Sequence, residues 1–380
     1  MEFTFSTTQQ IICEAGACVR LGQICQDLGV SHLLIVTDPG IVQLGLLDAA
    51  LSSLDAQKMP YSIYSDVIAD PPESKIEEAL MLANENAIDG VMGFGGGSSM
   101  DVAKLVALLV DSEQTLSDVY GVGNAKGKRL PLVQVPTTAG TGSEVTPVAI
   151  VTTGETTKQG VVSPILLPDI ALLDANLTLG LPASVTAATG IDAMVHAIEA
   201  YTSKNKKNPY SDMLAKEALS RLSKHIVTAT LDGGNVLARS EMLYGAMLAG
   251  QAFANAPVAA VHALAYPLGG HFHISHGLSN SLVLPHVLRF NFESASALYD
   301  ELAIVLKSSC ESLVGSESLI DAMDSLIKQV NLPTKLREFG VEEEQLPMLA
   351  KDAMLQERLL MNNPKEMTYE DALAIYQAAF

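Results

Sequence analysis

The segment IDGVMGFGGGSSMDVAK, residues 88–104, decides the fold. Residues 88–97 are apolar and small and predict a buried strand running into glycines. A helix follows from near Ser99 to about 110. A glycine-rich passage from strand to helix lets backbone amides and the helix dipole face a phosphate. Working outward, HLLIVTD (32–38) predicts a β-branched strand ending at Asp38-Pro39-Gly40, and LPLVQVPTT (130–138) predicts another. Helical spacing over 73–86 lies between the first two. Strands alternating with helices imply a mainly parallel sheet covered on both faces, with ligands at the carboxyl ends of its strands. Asp38, the glycine run and PTTAGTGSE (136–144) all fall at such ends.

The pattern changes after Leu181-Pro182. Ser184 is a candidate N-cap for a helix over 185–202, and helical periodicity then dominates 209–231, 236–255, 293–312, 316–329 and 343–357. The expected organisation is α/β plus all-α, with a parallel-sheet dinucleotide-binding domain over 1–180 and an all-helical metal and catalytic domain over 181–380. The active site is expected in the cleft between them.

Asp and Glu number 43 against 23 Lys and Arg, a formal charge of -20. Such a field repels nucleic acid and anionic membranes, which argues against both as partners. The N-terminal MEFTFSTTQQ lacks the basic and apolar regions of a signal peptide, and no apolar run reaches membrane-span length. Cys13, Cys18, Cys25 and Cys310 match no common zinc spacing and are expected as reduced thiols, so a cytoplasmic location is expected.

One carboxylate and three imidazoles suit a divalent transition ion. Asp192 and His196 stand four apart in TGIDAMVHAIEA, so they share a helix face. His262 closes an apolar helical stretch that Pro267, Gly269 and Gly270 are expected to break before His276, and Gly277 permits a close backbone approach. His271 and His273 are also at hand, so spacing alone does not choose the ligands. Nitrogen and oxygen donors without thiolate accept Fe2+, with Zn2+ possible. On the other side, Gly96, Gly97 and Ser98 are placed for a pyrophosphate, although the run is not G-x-G-x-x-G in the usual early position. Thr137, Thr138 and Thr141 offer hydroxyls to phosphate or ribose. Asp38 could accept both ribose hydroxyls, which favours NAD over NADP. Phe253, nine residues before His262, is a candidate wall of an apolar substrate pocket.

Taken together, GGGSSMDVAK (95–104), VPTTAGTGSEVT (135–146), TGIDAMVHAIEAY (189–201), HALAYPLGGHFHISHGLSNSLVLPHV (262–287), NNPKEMTYED (362–371) and the pair Thr37-Asp38 resemble the iron-containing (group III) alcohol dehydrogenase family over nearly the whole chain. The resemblance implies a dehydroquinate synthase-like two-domain fold and metal ligands Asp192, His196, His262 and His276. It implies cofactor contacts by Asp38, Gly96, Gly97, Ser98, Thr137, Thr138, Thr141 and Lys158, with Ala149 and Thr178 beside them. It further implies a homodimer or larger assembly. Two positions depart from the family pattern. A frequent histidine four after the third ligand is Tyr266 here, and a phenol, with an ordinary pKa of about 10, is a poorer proton shuttle at neutral pH. The relay could then pass to His273, His271 or solvent. A frequent N-P-T is Asp70-Pro71-Pro72.

The implied function is NAD-dependent, metal-dependent interconversion of a primary alcohol or diol and an aldehyde. The alternatives are a hydroxyacid–oxoacid transhydrogenase, suggested by Tyr266-Pro267, a dehydroquinate synthase-like lyase, and a non-catalytic metal-binding protein. Sparse basic residues in the motif segments argue against the lyase.

Overall fold

Leu33, Leu34, Ile35 and Val36 are all fully buried. Side chains on a strand point alternately to opposite faces, so a run buried at every position needs cover on both sides. The structure, a computed structural model describing residues 2–154 and 157–380, supplies that cover. Its strands are β1 (Gln10–Cys13), β2 (Leu33–Val36), β3 (Tyr61–Tyr64), β4 (Gly90–Gly95), β5 (Gly121–Val122), β6 (Leu132–Pro136), β7 (Val148–Thr153), β8 (Thr157–Val162) and β9 (Ile170–Leu173). Six of them form a sheet in the order β1-β9-β6-β4-β2-β3. Every pairing in it is parallel.

Leu34, Val36, Val91 and Leu132 pack on one side with buried residues of helices Glu73–Glu85 and Gly97–Leu109. Leu33, Ile35, Met92, Phe94 and Val133 pack on the other with helices Leu21–Asp27 and Asp48–Ala56. The strands expected at 32–38, 88–97 and 130–138 are β2, β4 and β6, which lie side by side. The chain leaves β2 for β3 at one edge and then crosses to β4 on the other flank of β2. This reversal is the topological switch point at which open α/β sheets bind ligands. A second, three-stranded sheet has the order β5-β8-β7, with β7 and β8 antiparallel.

From residue 183 the chain is helical. The helices include Ala183–Thr202, Pro209–Leu231, Val236–Asn255, Ala260–Phe272, His276–Ser309, Leu319–Gln329 and Leu346–Met354. Several expected boundaries move. Pro182, not Ser184, stands at the cap of Ala183–Thr202, because its fixed φ already suits a helix start. The break expected at Pro267 falls instead at 256–259, so Phe253 and His262 sit on different helices and His262 lies near the start of its own. Pro267 and Pro285 both lie inside helices. A proline forfeits one helical hydrogen bond, and burial of Leu264, Leu268, Leu284 and Leu288 around these two offsets that loss. The helix expected over 293–312 is the second half of His276–Ser309.

The chain forms two compact units. One holds Ser6–Thr138 and Gly142–Leu179; the other holds Gly180–Phe380 with Ala139–Thr141 and the N-terminal residues through Phe5. A single cut at residue 180 misses the short Ala139–Thr141 excursion, whose Gly140 packs against Thr189 with no room for a Cβ. None of the four cysteines forms a disulfide among the described residues. No helix among the described residues is long and apolar enough to cross a membrane.

Candidate functional site

Asp192 and His196 lie one turn apart on Ala183–Thr202, and both are buried. His262 comes from the first turn of Ala260–Phe272 and His276 is the first residue of His276–Ser309. Gly277 explains how the last helix comes close enough. A Cβ there would stand 2.4 Å from the Ala188 carbonyl oxygen, so only glycine lets the two backbones meet. One ligand atom from each of the four side chains lies within 4.8 Å of the others. His276 Nε2 is 3.6 Å and His262 Nε2 3.9 Å from Asp192 Oδ1. The His196 and His262 rings stack at 4.7 Å.

These residues fit a divalent metal ion on two further grounds. The His196 ring is buried with the Gly140 backbone as its polar neighbour outside the cluster, and its Nδ1 makes no hydrogen bond of good geometry among the described residues. A buried ring nitrogen left bare is costly unless something satisfies its lone pair. The protonation states also suit. Burial, reinforced by the neighbouring imidazoles against the pull of Asp192, pushes His196 down to about 3, so its ring is neutral. Burial alone would raise the Asp192 carboxyl, but the three imidazoles and Asn280 hold it below the usual carboxylate range. Nitrogen and oxygen donors of this number suit iron or zinc.

Two supporting residues were not singled out from the sequence. Glu199 accepts from the Ala259 amide at 2.9 Å and the Val261 amide at 2.7 Å, and its Oε2 lies 2.6 Å from His262 Nδ1. This contact makes Nδ1 the protonated nitrogen and leaves Nε2 to face the cluster. The available signal was spacing: residues 192, 196 and 199 share one helix face. Asn280 donates to Asp192 Oδ1 at 2.5 Å and lies 3.3–3.4 Å from Nε2 of His276 and His262. It falls four after His276, on the same face.

Phe253 stacks on His196 at 4.4 Å, which makes it a wall of this cluster although it comes from a different helix than His262. The Tyr266 ring lies 6.0 Å from that of His276. His273 is exposed, caps its helix with a φ of 54° and is not one of the four clustered residues. His271 is tied to Asp352 at 2.6 Å.

In the α/β unit, Asp38, Gly96–Ser98 and Thr137–Thr138 follow the adjacent strands β2, β4 and β6. Asp38 caps Pro39–Gln43, accepting from Gly40 and Ile41 through Oδ1, while Oδ2 points toward Gly95. Helix Gly97–Leu109 has Gly96 at its cap, and a glycine offers its first amides no side-chain cap. A Cβ on Gly96 would meet only the Thr138 side chain, at 3.8 Å, so packing does not demand this glycine. Uncapped amides beside open space fit a phosphate-bearing cofactor. Thr137 is buried, with its amide on the Gly95 carbonyl. Ala149 is buried on β7, and Thr178 is buried with its hydroxyl on the Ala175 carbonyl. Lys158, on β8, pairs with Asp70, the residue at the altered N-P-T position. Thr141 belongs to the other unit.

Lys104 was also missed. It is fully buried and donates to Ser143 Oγ at 2.7 Å, Thr146 Oγ1 at 3.1 Å and the Val148 carbonyl at 2.7 Å. Asp101, one turn earlier, accepts from Ser143 and the Ile150 amide. Together they lace the glycine-led helix to the segment after PTTAGTG.

Comparison with known proteins agrees with this arrangement. Residues 8–175 match the model of the iron-containing alcohol dehydrogenase family, and residues 186–380 match the C-terminal model of the Fe-containing alcohol dehydrogenase family. The chain is 40% identical over 371 residues to long-chain-alcohol dehydrogenase 1 of Geobacillus thermodenitrificans, covering 96% of this chain and 93% of that one. A crystal structure of 1,3-propanediol oxidoreductase superposes with a TM-score of 0.95 at 33% identity over 100% of both chains. That of sulfoacetaldehyde reductase from Bifidobacterium kashiwanohense, in complex with NAD+, superposes with a TM-score of 0.88 at 28% identity, covering 100% of this chain and 99% of that one. An Asp/His3 cluster on three helices, a parallel sheet with an uncapped glycine-led helix, and family matches along nearly the entire sequence have one common explanation: this chain belongs to the iron-containing alcohol dehydrogenase family and is an oxidoreductase acting on alcohols.

Proposed function

We propose that the protein interconverts a primary alcohol or diol and its aldehyde, with NAD(H) as the hydride carrier and Fe2+ as the resident ion. The single observation that carries this reading is the convergence of Asp192, His196, His262 and His276 within 4.8 Å. These four side chains would hold the ion, which supplies Lewis acidity toward an alcohol or carbonyl oxygen. Glu199 keeps His262 in the ligating tautomer, and Asn280 holds the Asp192 carboxylate in place. Phe253 provides an apolar face against His196 and excludes water there. Tyr266 and His273 are the protein groups assigned to carry the hydroxyl proton outward: Tyr266 because it neighbours His276, His273 because it meets solvent.

For the cofactor, Gly96, Gly97 and Ser98 are assigned to the pyrophosphate, and Thr137, Thr138 and Thr141 to phosphate or ribose. Asp38 is assigned to the adenosine ribose, and Lys158, Ala149 and Thr178 to the remaining length of the dinucleotide. The NAD+ complex of the reductase named above supports NAD. The 1,3-propanediol and long-chain-alcohol enzymes support alcohols and diols as the substrate class. The domain assignment follows, with nucleotide in the unit before residue 180 and metal after it. A homodimer or larger assembly and a cytoplasmic location belong to the same reading and rest on family membership.

The test is a spectrophotometric screen of primary alcohols, diols and aldehydes with anaerobically iron-loaded protein and NAD(H) or NADP(H). NADH accumulating steadily with a simple alcohol supports the reading. Transfer between two organic substrates with no NADH released would replace it with a transhydrogenase.

A further inference from the structure

A cavity of about 190 Å³ opens along the helix His276–Ser309, well past His276. Ser281, Pro285, His286 and Arg289 line it from that helix, Asp324 and Lys328 from Leu319–Gln329, and Thr334 and Lys335 from the segment beyond. It exceeds by roughly tenfold the 10–15 Å³ that one water needs.

Its charge runs against that of the chain. Acids outnumber bases 43 to 23 overall, yet this wall carries Arg289, Lys328 and Lys335 against Asp324 alone. Three cations less one carboxylate leave two positive charges. Asp324 is already engaged, with Oδ2 at 2.6 Å from Arg289 Nη2, and so holds the guanidinium in a fixed place. Lys335 donates to the Ala378 carbonyl at 3.2 Å, and an ammonium carries three donors. Ser281 is the second observation. The residue lines the cavity, and its hydroxyl is buried with no hydrogen-bond partner among the described residues. Such a group costs about 1–3 kcal/mol unless something meets it. Burial, then Arg289 and Lys335, pushes His286 down to about 4, so its ring is neutral and can donate an N–H without adding charge.

We propose that this cavity binds a small phosphoryl dianion. A phosphate group carries about -1.5 to -2 charges at neutral pH and three or more acceptor oxygens. That matches two net positive charges and the hydroxyls of Ser281 and Thr334. Free phosphate and a phosphate monoester share this chemistry.

The experiment uses zinc-loaded protein saturated with NAD, so that the dinucleotide site is filled. Inorganic phosphate is titrated in one arm and glycerol phosphate in the other, by calorimetry and by the imidazole resonances of 15N-histidine-labelled protein, with His286→Gln identifying the ring. Saturable binding of either probe, one per chain, with movement of the His286 signal is expected. The arm that binds more tightly names the source. Arg289→Gln with Lys335→Gln, both on exposed side chains, should weaken binding by about tenfold or more, and Ser281→Ala should weaken it too. No saturable binding in either arm overturns the proposal. Binding that these variants leave unchanged, or that leaves the His286 resonance still, overturns it as well.

Discussion

Glu199 shows how much one residue can decide at the metal cluster. Its two oxygens take two backbone amides and the His262 ring, so every lone pair in a useful direction is committed. Glu199→Gln would turn an amide NH2 toward groups that already donate. The expected outcome is metal affinity lower by about 10–100-fold with the fold retained. Competition with a chelator, and the visible spectrum of the cobalt-loaded protein, measure it; wild-type affinity would remove Glu199 from this role. Glu144 makes a different prediction. Burial raises its carboxyl to about 7, so the folded state retains a proton that the unfolded state releases near the ordinary 4.5. Its stabilising effect is complete below about 4.5 and is lost as pH rises through about 7. Glu144→Gln removes that dependence. Relative to the variant, the wild type should therefore lose roughly 1–3 kcal/mol between pH 4.5 and 8. Denaturant unfolding across that range is the check, and parallel curves would contradict it.

At the scale of elements, the candidate ligand His276 reaches Asp192 and His196 because two helices touch at backbone level. Gly277→Ala would force a methyl to 2.4 Å from the Ala188 carbonyl, which cannot swing aside as a side chain can. We expect a loss of about 1–3 kcal/mol together with weaker metal binding, since the shift moves His276 relative to Asp192. Gly315→Ala is the control. An added methyl there meets nothing within 4 Å, and the change should stay within about 0.5 kcal/mol. Equal effects at the two positions would refute the close-approach argument. The helix ends explain why the sequence is legible in some places and not others. The strand-to-helix passage at 90–109 is encoded by neighbours: β-branched and apolar residues, then glycines, then helical spacing. The interior prolines are not. Pro267 and Pro285 read locally as breaks, yet burial against surrounding helices exceeds the one hydrogen bond each forfeits.

For the whole molecule, the four candidate metal ligands lie in the helical unit, and the nucleotide candidates, apart from Thr141, lie in the other. A ligand stabilises the state that binds it, by about 2.7 kcal/mol at a hundred times its Kd. Chelating the metal should therefore speed amide hydrogen exchange most in Ala183–Thr202 and Ala260–Phe272. Adding NAD should slow exchange most in the strand and helix ends around Gly95 and Thr137. Mass spectrometry resolves these peptides; a chelator effect greatest around Gly95 would count against the assignment.

Asp192 and His196 declared themselves by spacing, as did the glycine run and the carboxylate at the end of β2, because a helix turn and a strand end are local geometry written in consecutive residues. Spacing alone did not choose among His262, His271, His273 and His276. The family resemblance pointed to His262 and His276, and packing supplies the physical reason: Gly277 brings His276 against the Ala183–Thr202 helix, Glu199 turns His262 inward, Asp352 ties up His271, and a left-handed cap leaves His273 in solvent. Local order reads from neighbours in the chain. The choice among like residues depends on contacts 60 to 90 positions away, such as Glu199 to His262 and Asp192 to Asn280, which exist only once the helices have packed.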